Sequence, residues 1–117
     1  RNEAWLKLEK MYRPYLDLEG MPFYGRGGGW QRQNHIYLTP FYYIDYCLAQ
    51  TVALQFWLEI EKDWKQAWEK YKMFVQRGGT DTFLGLVAGA GLASPVEDGC
   101  IREIAGHASE WLKEHKL

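Results

Sequence analysis

Twelve residues, His35 to Tyr46 (HIYLTPFYYIDY), hold one histidine and four tyrosines, Tyr37, Tyr42, Tyr43 and Tyr46. Imidazole N–H and phenol O–H groups are hydrogen-bond donors. Donors fixed in advance stabilise negative charge that develops on a substrate oxygen. On a helix that starts at Pro40, Tyr42 and Tyr46 fall at i, i+4 and share a face. Tyr43 lies one position round, and His35 enters from the preceding loop. Asp45 is the only carboxylate of the segment and points away from Tyr46. No nucleophile or general base accompanies the group. The same rings would serve equally as an aromatic core, so residue types alone leave both readings open.

Other chemistry is weakly supported. The histidines are His35, His107 and His115, with no His-Glu-x-x-His motif and no cysteine pair at metal spacing. Glu103, His107 and Glu110 share one helix face, a pattern of metal ligands in some bundles and more commonly of a solvated surface. Ser94 reads as a cap and Ser109 as a surface residue. Cys47 and Cys100 read as buried free thiols of a reducing compartment. The run Gly25-Arg26-Gly27-Gly28-Gly29-Trp30 lacks GxxxxGK(S/T) and follows no strand, so it is not a phosphate loop. Its glycines suit a plain connector, or a loop whose backbone approaches a ligand closely.

The elements that would position these groups are helical. The spacing predicts a helix over residues 2–13, ended by Pro14. Residues 14–34 are irregular. Thr39-Pro40 is a helix start signal, and the helix runs to about Lys62. It is apolar nearly all round, which predicts a buried central position. An amphipathic helix follows over 63–76, stopped by Gly78-Gly79, then a short helix over 80–87. Ser94-Pro95-Val96-Glu97 reads as a capping box opening a last helix from Pro95 to about His115. No alternating strand pattern is present. The expected class is all-α: a single multi-helix segment, residues 1–117, with a long buried central helix and a Gly-rich loop.

Composition sets outer limits. The 117 residues suffice for one domain, with 47% hydrophobic and 25% charged residues. Aromatic content is 16%, including 6 Trp and 8 Tyr. Rings in that number need a large core or a partner surface. A net charge of −1 offers no case for nucleic acid. No apolar run approaches a membrane span, no signal peptide is recognisable, and the expected compartment is the cytoplasm. The chain reads as a piece of a longer protein.

Three stretches resemble a known family: Tyr15-Leu16-Asp17-Leu18-Glu19, then Gly27-Gly28-Gly29-Trp30-Gln31, and above all His35-Ile36-Tyr37 with Pro40-Phe41-Tyr42-Tyr43-Ile44-Asp45-Tyr46. Together they resemble the C-terminal catalytic-domain segment of the oligoendopeptidase F family, thimet-oligopeptidase-like zinc metallopeptidases. Gly91 to Pro95 and Ala108 to Leu112 resemble its closing helices. The resemblance implies an all-α parent enzyme that cleaves short peptides in a deep channel. It implies zinc held by residues outside this chain, so that the segment alone is inactive. His35 would bind a substrate carbonyl. Tyr42 and Tyr46 would be the family's tyrosines, Tyr46 donating to the oxyanion. Gly27, Gly28 and Gly29 would flex and clamp the peptide, and Tyr43 is a substitute donor on the substrate side. Expected partners are short peptides and the remainder of the parent catalytic domain, with no nucleic acid, no membrane, and self-association of the isolated segment. The rival is a non-catalytic helical interaction module, with an inactive peptidase paralogue as a third reading.

Overall fold

Good helix formers fill residues 3–11, and they build α1 (Asn2–Tyr12). Its C-cap Arg13, the residue before Pro14, leaves the helical region at φ −133°, ψ 57°. The computed structural model describes residues 1–115. Then come α2 (Pro22–Gly25), a 3₁₀ turn (Gly28–Arg32), α3 (Asn34–Leu38), α4 (Ile44–Lys62), α5 (Trp64–Gln76), α6 (Phe83–Gly89) and α7 (Cys100–Glu114). The chain is all-α, with no strand among the described residues. It divides into two compact units, Arg1–Ile44 and Asp45–Leu117.

The first unit is built on α1 and the glycine run. Gly27 has φ +76°, a left-handed conformation that glycine adopts without penalty. A Cβ there would collide with the backbone carbonyl of Asn2. One at Gly28 would lie 2.8 Å from the Phe23 ring, and one at Gly29 would lie 2.7 Å from Trp5 Nε1. All three glycines are buried, so the run is where α1 meets the 3₁₀ turn at backbone distance. Trp30 Nε1 donates to Asn2 Oδ1 at 2.8 Å, tying the turn to the start of α1.

The second unit is centred on the middle of α4. Val52, Phe56, Val87 and Ala90 form its core, with Phe74 and Leu92 packed against them. The Phe56 ring meets Tyr71 and Phe74 edge-on at 5.4 and 5.6 Å, a favoured aromatic geometry. Trp57 meets Trp111 of α7 the same way at 6.0 Å. Gln55 is buried, and its amide donates to the Ala93 carbonyl (3.0 Å) and accepts from the Ala93 N–H (2.8 Å). Asp63 caps α5 by accepting from the Gln66 N–H (3.1 Å), and Thr82 caps α6 by accepting from the Gly85 N–H (3.1 Å).

Several expectations need correction. The central helix begins at Ile44, not Pro40. Phe41 takes φ +70°, which no right-handed helix contains, and residues 41–43 are turns. Burial of α4 is confined to Thr51, Val52, Gln55 and Phe56. Its first residues are open, which leaves Cys47 exposed while Cys100 is buried. The last helix begins at Cys100. Residues 94–98 form turns, with the Glu97 N–H donating to the Ser94 carbonyl at 3.0 Å, and Gly99 supplies the left-handed residue, φ +97°, before the helix.

Candidate active site

His35 lies on α3 rather than in a loop, as the second residue of a single helical turn. Its ring is nearly parallel to that of Tyr43, with centroids 4.6 Å apart and planes 21° apart. Tyr42 faces it more loosely, at 6.2 Å and 25°. Two residues on from His35, Tyr37 stacks on Trp30 at 6.0 Å and 29°, and Arg1 covers the Trp30 ring at 5.5 Å. The first unit therefore brings together His35, Tyr42 and Tyr43.

Because α4 starts at Ile44, Tyr42 and Tyr43 precede it and only Tyr46 stands on it. The expected i, i+4 face of Tyr42 and Tyr46 does not form. Tyr46 belongs to the second unit. Tyr42, Tyr43 and Tyr46 are 48%, 51% and 53% exposed. These rings are half open to solvent within this chain, so its own residues do not enclose them in a packed core. Gly27, Gly28 and Gly29 sit in the same unit as His35, packed as described above. Asn2, Trp30 and Tyr37 were missed as supports of α3. Trp30 and Tyr37 signal only by aromatic type and Asn2 by nothing local, because the Asn2–Trp30 bond joins residues 28 positions apart.

The remaining candidates are quickly placed. Glu103, His107 and Glu110 are all exposed on α7. Among the described residues no group of three or more His, Cys, Asp or Glu converges to hold a metal ion. The zinc that the resemblance implies therefore has no fit to this chain's own donors. No described helix is long and apolar enough to cross a membrane. Burial raises the Cys100 thiol pKa, with Glu103 and Glu97 adding to it, so it is a poor nucleophile.

Among solved structures, "PZ peptidase A with inhibitor 2" is 44% identical over 98% of this chain, with a TM-score of 0.90. A structure named oligoendopeptidase F is 43% identical over 98% of the chain, at TM-score 0.91. Another of that name, from Bacillus anthracis, is 35% identical over 96%, at 0.65.

This chain matches a fragment of the oligoendopeptidase F and PZ peptidase structures.

It spans about a fifth of the length of those oligoendopeptidase F and PZ peptidase structures, 20% in each case. No protein-family model matches the chain, and no curated protein matches it.

Proposed function

We propose that the chain is a C-terminal part of the catalytic domain of a cytoplasmic zinc metalloendopeptidase that hydrolyses short peptides. The reading rests on one observation: 44% identity to a peptidase structure across 98% of the chain. On this reading the zinc ligands lie in the part of the parent outside these residues. The chain alone is inactive, and its partners are short peptides and the rest of that catalytic domain.

The roles proposed for its own residues follow from their chemistry. His35 donates an imidazole N–H to a substrate carbonyl. Tyr46 donates its hydroxyl to the oxygen that becomes negative as the carbonyl carbon turns tetrahedral, and Tyr42 is the second of the two tyrosines assigned to the catalytic set. A donor that strengthens its bond as charge develops favours the transition state over bound substrate. Tyr43 lines the substrate's path, and the buried Gly27, Gly28 and Gly29 hold the wall of that path against α1. The half-exposed state of Tyr42, Tyr43 and Tyr46 supports this assignment, because a donor buried in a core reaches no substrate.

The test is hydrolysis of a quenched fluorescent peptide by the zinc-loaded parent protein. Tyr46→Phe and His35→Ala should each lower kcat by on the order of 10²–10³, with zinc content and folding unchanged. Unchanged turnover would remove both residues from the chemistry. No hydrolysis by the wild type would favour an interaction module or an inactive paralogue.

A further inference from the structure

We infer that Tyr43 is a positioning residue whose ring face fixes the plane of the His35 imidazole. The inference rests on the reading of His35 as a carbonyl donor. An imidazole N–H points along the ring plane, so a hydrogen bond to a carbonyl needs that plane held within narrow limits. The element that carries His35 cannot hold it. A helix of five residues, Asn34–Leu38, has a single turn, and such a turn is marginal without outside contacts.

Two contacts within the first unit supply the support. Tyr37 stacks on Trp30, and Trp30 is tied to Asn2, which sets the course of α3. Tyr43 then lies against the His35 ring at 4.6 Å and 21°, inside the range where aromatic pairs attract. Tyr42, at 6.2 Å, is a looser neighbour. Tyr43 reaches this place because Phe41 turns the backbone left-handed two residues earlier. What this geometry uses is the face of Tyr43. Phenylalanine has the same face and no hydroxyl.

The experiment compares Tyr43→Phe and Tyr43→Ala in the zinc-loaded parent protein, reading kcat and KM separately. In parallel, the ring-carbon proton of His35 is followed by NMR in histidine-labelled protein, assigned with His35→Gln. The Phe variant should retain more kcat than the Ala variant. The Ala variant should lose about threefold to tenfold in kcat, the scale of one aromatic pair, with KM little changed. The His35 resonance should keep its ring-current displacement in Tyr43→Phe and lose it in Tyr43→Ala. If Phe lowers kcat as much as Ala, the hydroxyl is the working group; that overturns the inference and leaves the peptidase reading standing. If Ala changes neither kcat nor the resonance, the stack has no role and the inference is overturned. If the wild type hydrolyses nothing while the displacement is present, the functional reading falls and the stack is a packing contact only.

Discussion

Gly27 has neither the dihedral nor the space for a side chain. Its φ of +76° costs any other L-residue about 1–2 kcal/mol, and a Cβ would meet the Asn2 carbonyl. Gly27→Ala should therefore lower stability by on the order of 2 kcal/mol or more, read as a fall in the urea midpoint. An unchanged midpoint would mean that α1 does not rest there. The glycine run is conspicuous in the sequence, but its packing role is not, because at Gly27 and Gly29 the atoms that demand glycine belong to Asn2 and Trp5, more than twenty positions away. The same holds for the histidine cluster. His35 and the tyrosines stand out by type and spacing, whereas the stack of His35 on Tyr43 depends on a left-handed Phe41 that no propensity indicates. Phe41 is 96% exposed, so burial does not compensate its backbone, and the turn carries strain next to the proposed donor.

At the scale of elements, periodicity identified α1, α4, α5, α6 and α7 and missed the short α2 and α3, and local start signals misplaced two of those it found. Thr39-Pro40 and Ser94-Pro95-Val96-Glu97 are good caps taken alone, yet both sit in turns, and α4 and α7 open four and five residues later than those prolines. Asp63 and Thr82 do cap, because nothing beyond them competes for the chain. The join between α4 and α5 also carries charge. Glu59 accepts from Lys70 of α5 and pairs with Lys62 at 3.1 Å. The Lys70 bond, then the Lys62 bond, hold its carboxyl below the ordinary value of 4.5. A carboxylate lowered on folding adds stability that is present above the unfolded value and lost as pH falls through the folded one. Urea midpoints should accordingly decline below about pH 4.5, and Glu59→Gln should flatten that part of the profile while leaving the other carboxylates' contribution. An identical acid slope in the variant would show that Glu59 gains nothing from its lysines.

At the scale of the whole molecule, much apolar surface is uncovered. Met11, Tyr12, Tyr15, Leu38 and Ile101 are exposed, as are Trp64 and Trp68 of α5. Exposed apolar area of this extent marks surfaces that other protein covers, consistent with a chain spanning a fifth of its structural relatives. The all-round apolar pattern of α4 was legible. That its ends would stay open was not, because a sequence shows which faces want cover and not whether this chain supplies it. The isolated chain should self-associate with rising concentration in sedimentation velocity, and co-expression with the rest of the parent proposed above should abolish this. A monomer at all concentrations would mean that these side chains tolerate water as they are. Beneath that surface one contact is indifferent to sequence. Gln55 grips Ala93 only through its main-chain N–H and carbonyl. Evolution can therefore rewrite position 93 with any residue but proline, while position 55 must keep an amide of that length.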